Sequence, residues 1–132
     1  MPQQLQRRLY RSQLTSREHL KGIANIAQVG RAFTAAHRVS GLLVFDGLRF
    51  CEYLEGPPLA MAQLMARIET DPRHERLVHL IHAPLPGARL FTSWGLAYVL
   101  DEETEPLSQM EGLEGEAALA YFMSLVPALD MV

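Results

Sequence analysis

The chain has 132 residues, and among them one cysteine, Cys51, one tryptophan, Trp94, and one lysine, Lys21. A lone cysteine excludes an internal disulfide framework and an all-thiolate metal site. The N-terminal Met1-Pro2-Gln3-Gln4 has no apolar stretch behind it, so no secretory signal is expected. Both features point to a reducing, cytoplasmic location. No apolar run approaches the about 18 residues of a membrane span, so no membrane partner is expected. The five histidines show no H-x-x-x-H or H-E-x-x-H spacing, which argues against zinc. No glycine-rich loop follows a strand, and nothing forms a nucleophile elbow, so an enzyme is not expected.

Charge is present but unevenly placed. All 12 Lys and Arg lie in residues 1–99 with seven acids, a balance of +5, while residues 100–132 carry eight acids and no Lys or Arg. Eleven of the 12 cations are arginine. The plain reading is a basic body (1–100) covered by an acidic helical extension (101–132), and the sharper one is an anionic ligand on the body. Without a basic run or a basic pI, direct nucleic-acid binding is not expected.

Hydropathy breaks the chain into short elements of alternating type. Gln6 to Ser12 reads as a strand, Leu9 on one face and Tyr10 and Ser12 on the other. Thr15-Ser16-Arg17-Glu18 reads as a capping box with Thr15 at the cap. The helix it opens runs to about Ala36 on a stripe of Leu20, Ile23, Ala24 and Ala27. Gly30 inside this helix is unfavourable by about 1 kcal/mol against alanine and suggests either a close approach or a weakened helix.

Ser40–Phe45 and Arg49–Glu55 read as a hairpin around Asp46-Gly47. Pro57-Pro58 leads into a helix with Met61, Leu64, Met65 and Ile68 on one face, ended by Asp71-Pro72. Strands are expected in Leu77–Ala83 and Leu90–Val99. An acidic linker, a short helix over 106–112 and a final helix over 116–126 follow. The order β-α-β-β-α-β-β is that of an α+β ferredoxin-like sandwich: a mixed sheet of about five strands, two helices on one face, and C-terminal helices on the other. The expected core comprises Leu9, Leu20, Ile23, Leu42, Val44, Leu54, Leu64, Ile68 and Leu80.

One residue is out of place for its environment. Period 2 puts Glu52 on the same face as Phe50 and Leu54, toward the helices, where a carboxylate is unfavourable unless paired or protonated. A place near the sheet edge or an arginine partner would make it ordinary. Arg67 and Asp71, spaced i, i+4, are expected to form a surface ion pair. Trp94 has the plain reading of core packing, and Cys51 that of a core residue.

The segments Arg8-Leu9-Tyr10-Arg11-Ser12, Val39–Gly47, Arg49–Pro57, Arg67–His74 and Phe91–Leu96, in this order and spacing, resemble the BLUF domain, the FAD-dependent blue-light sensor module, over roughly residues 6–100. The resemblance implies FAD between the two helices and a strand-one tyrosine, Tyr10, as electron and proton donor. It implies a third-strand glutamine that rearranges in light and shifts the flavin absorption to the red. It places Arg67, Ile68, Asp71 and His74, with Ile26, at the flavin, and Trp94 on the last strand. Four positions depart from the family pattern. The usual Asn pair is Phe33-Thr34, the glutamine is Glu52, and the usual methionine is Leu96. Threonine lacks the donor-plus-acceptor edge of a carboxamide.

Two readings therefore stand. One is a flavin photoreceptor with impaired photochemistry that signals to a downstream protein. The other is a flavin-free interaction module on the same fold, insensitive to light. The resemblance also implies a homo-oligomer.

Overall fold

The computed structural model describes residues 4–99 and 105–131. The expected acidic linker falls largely on 100–104, outside the described residues. The elements are β1 (Gln6–Leu14), a 3₁₀ segment (Arg17–Gly22), α1 (Ile23–His37), β2 (Ser40–Phe45), β3 (Arg49–Gly56), α2 (Pro58–Thr70), β4 (His74–Pro84) and β5 (Trp94–Tyr98). After them come a 3₁₀ segment (Pro106–Gly112), α3 (Gly115–Leu125), a 3₁₀ turn (Val126–Ala128) and β6 (Asp130–Met131).

The strands form one mixed sheet in the order β4-β1-β3-β2-β5-β6, antiparallel except for the β2–β5 pair. The two-residue β6 is the addition to the five strands read from sequence. Alternation along the strands sorts side chains into two layers. The inner face carries Tyr10, Leu43, Leu54, Trp94 and Leu96, packed by Ile23 and Ala27 of α1 and Met61 and Met65 of α2. The outer face carries Leu9, Leu42, Val44, Cys51, Tyr53 and Ala97, covered by Leu107, Met110, Ala118, Leu119 and Phe122. Both helices thus share one face, as the ferredoxin-like reading requires.

Local chemistry corrects four details. Ser16, not Thr15, caps the first helical segment by accepting the Glu18 N–H at 3.3 Å. The Thr15 hydroxyl instead donates to the Pro72 carbonyl. Because the first turns are 3₁₀, side chains recur every three residues and the apolar stripe loses phase. Leu20 is consequently 41 % exposed, and the buried stripe starts at Ile23. Third, Ala24 is also exposed.

Fourth, the β2–β3 turn is one residue later than read. The Asp46 N–H donates to Arg49 O, and Gly47-Leu48 are the central pair. Gly47 has φ +98°, which primed hairpin turns demand at that position. The Asp46 carboxylate accepts the Leu48 and Arg49 N–H groups and fixes the turn.

The β4–β5 connection is held by a residue the sequence did not single out. Glu55 is fully buried at the end of β3. Its carboxylate accepts from Ser40 Oγ, Tyr53 OH and the Leu90 and Phe91 N–H groups. Arg89 completes the latch by donating to Ser40 Oγ and to the carbonyls of Glu55 and Arg38. This cluster holds residues 90–93 as a loop, so β5 begins only at Trp94. Glu55→Ala leaves several buried donors without an acceptor and is expected to remove about 2–4 kcal/mol of stability. The urea midpoint reads it, and an unchanged midpoint would show that the latch is idle.

Candidate functional site

Above the inner face, α1 and α2 diverge and leave a cleft. Its walls are Ile26 and Val29 of α1 and Leu64 and Ile68 of α2, and its floor is Leu43, Phe50 and Glu52. Leu64 and Ile68 are only half-buried because they face this cleft rather than a packed partner. Leu96 lies under the floor, buried among the core residues, and Trp94 lines the cleft itself.

Glu52 stands in the central strand β3, directly across from Tyr10 on β1 and Leu43 on β2. It is neither at an edge nor paired with arginine. One carboxylate oxygen accepts the Tyr10 hydroxyl at 2.6 Å, and the other accepts the Trp94 indole N–H at 2.8 Å. Burial pushes the Glu52 carboxyl above its ordinary range, and the two donors pull part of the way back. Burial, then the facing Glu52 charge, drives the Tyr10 phenol well above its own range. The sequence-read residues Tyr10, Glu52 and Trp94 thus form one hydrogen-bonded chain across three strands.

Gly30 explains how Trp94 reaches this position. A Cβ on Gly30 would lie 2.9 Å from the indole Cη2. The glycine therefore marks a close approach between α1 and β5, one of the two readings its sequence position allowed. Helix propensity alone favours Gly30→Ala by about 1 kcal/mol. Overpacking against the indole reverses the sign, and a net loss of about 1–2 kcal/mol is expected. Trp94 is the sole tryptophan, so its emission should shift in the variant. A stabilised variant with unchanged emission would show that the indole yields freely.

At the end of α1, Phe33 and Thr34 are both buried. The Thr34 hydroxyl donates back to the Gly30 carbonyl at 2.8 Å, so its one proton is spent inside the helix. Phe33 stacks on His37 with centroids 4.0 Å apart, and the Arg67 guanidinium lies 5.0 Å over its ring.

The expected Arg67–Asp71 pair is not formed. Asp71 is the C-cap of α2 with ψ 117°, imposed by Pro72, and so leaves the helical i, i+4 lattice. Its carboxylate is taken by Arg73, with Nε at 2.9 Å and Nη2 at 2.6 Å. These hydrogen bonds hold Asp71 below its usual carboxylate range. Arg73 also reaches Asn25 Oδ1 at 3.3 Å, tying the end of α2 to the start of α1. Periodicity and spacing alone give Arg73 no role. Its signal was an aspartate two residues earlier across a proline. His74 donates Nε2–H to the Ile68 carbonyl, which can only accept, and its Nδ1 lies 2.7 Å from the Ser12 hydroxyl.

Could a flavin fit here? The flat apolar walls suit the faces of an aromatic ring. The half-open cleft holds about 160 Å³, small beside the roughly 300–1,000 Å³ of drug-sized ligand sites, and Phe33 forms part of its lining. The polar edge fits less well. Thr34 offers no free donor, and Glu52 in its ionised form can only accept, as can the flavin's N5 and carbonyl oxygens. The walls fit the group and the polar clamp does not.

This three-layer arrangement of paired helices, sheet and C-terminal extension, with a chamber between the helices and a buried Tyr–carboxyl–Trp chain on its floor, is a ferredoxin-like α+β domain. The sequence profile of BLUF, sensors of blue-light using FAD, matches residues 5–97, and the chain belongs to this family. The blue light- and temperature-regulated antirepressor BluF of Escherichia coli (strain K12) is 31 % identical over 81 residues, covering 61 % of this chain and 20 % of that protein. Photoactivated adenylate cyclase subunit alpha of Euglena gracilis is 33 % identical over 93 residues, 69 % of this chain and 9 % of that one. The chain therefore spans a fifth or less of these relatives. Among solved structures, the dark state of BlrB, a BLUF protein, superposes with a TM-score of 0.77 at 25 % identity, covering 97 % of this chain and 98 % of that one.

Proposed function

We propose that this BLUF-family chain is a blue-light-sensor-like protein whose photochemistry is impaired at Glu52 and which acts through protein–protein contacts. The observation that carries the reading is the pair of donors, Tyr10 O–H and Trp94 N–H, both aimed at one carboxyl. A glutamine there can donate and accept through one amide group. An ionised Glu52 has nothing to donate, and a protonated one has a single O–H.

FAD, when bound, supplies the blue absorption band and an excited-state electron acceptor. Ile26, Leu64 and Ile68 would hold its ring faces, the Asp71–Arg73 pair one polar edge, and Arg67 and His74 the neighbouring rim. Tyr10 is the electron and proton donor of this reading, and its raised pKa keeps the proton on the phenol at rest. Residues 1–100 form the sensing body and 101–132 an extension that hands the signal to a partner. Apolar packing of Leu107, Met110 and Phe122 on the outer face supports that division. A cytoplasmic location and a homo-oligomer belong to the same reading.

Illumination of the FAD-loaded chain tests it. No reversible red shift of the flavin band is expected. A reversible shift would show that Glu52 replaces glutamine, and the reading would fall. A second reading, a flavin-free interaction module, is favoured by Phe33 in the cleft and by the inward-turned Thr34 hydroxyl. Flavin content of the purified protein separates the two: colourless protein that takes up no added FAD supports the second.

A further inference from the structure

A second cavity, of about 120 Å³, opens at the C-terminal end of β1, with Phe50 between it and the cleft between the helices. Besides Ser12 and Phe50, it is lined by Arg11 and Gln13 of β1, Arg49 of β3, Arg76 of β4, and Leu107 and Glu111 of the C-terminal extension. Three guanidinium groups and one carboxylate thus face a space large enough for a few water-sized atoms.

Three independent observations converge there. The first is an orphan donor. Among the described residues the Arg11 Nε is buried without a hydrogen-bond partner, a condition it shares with Arg7 and Arg8 on the same strand, but only Arg11 lines this cavity. The second is backbone strain. Opposite Ser12, β4 carries an extra residue: Arg11 pairs with Val78, Gln13 with Glu75, and Arg76 and Leu77 lie between. Within this bulge Arg76 has φ +55°, the left-handed conformation that such bulges normally give to glycine. A non-glycine residue there is unfavourable and persists where its side chain is needed. The third is charge. Arg49 is partly answered by Asp46 at 3.1 Å, whereas the guanidinium groups of Arg11 and Arg76 have no ion pair among the described residues. Glu111 comes from the extension and forms no ion pair with any of the three.

We propose that this cavity is an anion site for a phosphate-sized oxyanion, either inorganic phosphate or the terminal phosphate of a small metabolite. Arg76, aimed by the bulge, and Arg11, with its buried Nε–H, supply charge-assisted donors, and forked guanidinium groups suit phosphate geometry. Glu111 sits at the same cavity as the extension's own carboxylate. Anion and carboxylate repel, so occupancy is coupled to how the extension sits on the body.

Titration calorimetry of the full chain at constant ionic strength tests this, with inorganic phosphate in one arm, a nucleoside monophosphate in a second, and chloride as control. Saturable one-to-one binding of phosphate, absent with chloride, is expected. Tighter binding of the monophosphate points to a metabolite as the ligand, and equal or weaker binding to the free ion. Arg76→Gly relieves the strained backbone, so it should raise the melting temperature while weakening phosphate about tenfold. Glu111→Gln should tighten it severalfold. Absence of saturable binding, or binding indifferent to Arg76→Gly in a folded, stabilised variant, overturns the site. Loss of binding in Arg11→Gln with an unshifted melting temperature is the confirming third arm, and retained binding there counts against it.

Discussion

The triple variant Phe33→Asn, Thr34→Asn, Glu52→Gln is expected to bind FAD at least about tenfold more tightly than the parent and to gain a reversible light-induced red shift that the parent lacks. Two carboxamides restore donor and acceptor groups at the end of α1, where Thr34 now spends its proton on Gly30. Each satisfied hydrogen bond contributes about 0.5–1.5 kcal/mol, and two or three of them make the tenfold step.

The Glu52→Gln part acts on the floor. The Trp94 N–H can only donate, so the amide oxygen must face it, and the amide N–H₂ then donates to the Tyr10 oxygen. The bond between Tyr10 and residue 52 therefore reverses direction. That arrangement has an alternative, obtained by turning the amide, which a carboxylate does not offer. Flavin content and difference spectra under blue light measure both effects. A triple variant with parental flavin content would remove residues 33 and 34 from the clamp.

Glu52→Gln alone carries a pH signature. The folded-state pKa of Glu52 is raised, so its neutral form suits the fold. The parent loses stability as pH climbs from the ordinary carboxylate range through that raised pKa, and the full contribution is present only below the ordinary range. The variant should lose this slope. Urea midpoints across the acidic range give the comparison, and parallel slopes would show that Glu52 does not titrate differently in the fold.

Removing residues 105–132 is expected to leave a chain that no longer folds cooperatively. Leu107, Met110, Leu119 and Phe122 are all buried, Met110 and Phe122 completely, and beneath them lie Leu9, Leu42, Val44 and Tyr53. Burying four such side chains is worth on the order of 5–10 kcal/mol, comparable to the whole stability of a domain this size. The Arg7–Glu116 ion pair adds little, because the Glu116 carboxylate is 73 % exposed and solvent screens it. Glu116→Gln should therefore melt close to the parent while the truncation aggregates. Equal melting temperatures for truncation and parent would show that the outer face does not need its cover.

The element order and the two-faced layout were legible because alternation is strict where both faces are covered: in β3, Phe50, Glu52 and Leu54 point in, while Cys51 and Tyr53 point out. The same alternation exposed Glu52 as anomalous. Contacts fixed by chain ends were not legible. Asp71 meets Arg73 rather than Arg67 because Pro72 takes the backbone out of the helix just where the i, i+4 rule was applied. Leu20 turned outward because a 3₁₀ start, rather than an α start, sets the phase of α1. Glu55 has the same residue type and period as any edge-strand glutamate. Its role comes from the Leu90 and Phe91 N–H groups, 35 and 36 residues away, which no local pattern reports.

The pleat of β3 also sets a parity rule for sequence change. Glu52, which faces the chamber, and Tyr53, which packs beside Phe122 under the extension, are adjacent in the chain. Deleting one residue within β3 ahead of them would exchange their sides, putting a phenol on the chamber floor and a carboxylate under α3. Deleting two would keep the sides and shift the register by one repeat. Length variation inside this strand is thus confined to even steps, whereas the Gly47-Leu48 turn just before it can grow by any number. Lineages derived from this chain should record their insertions at the turn.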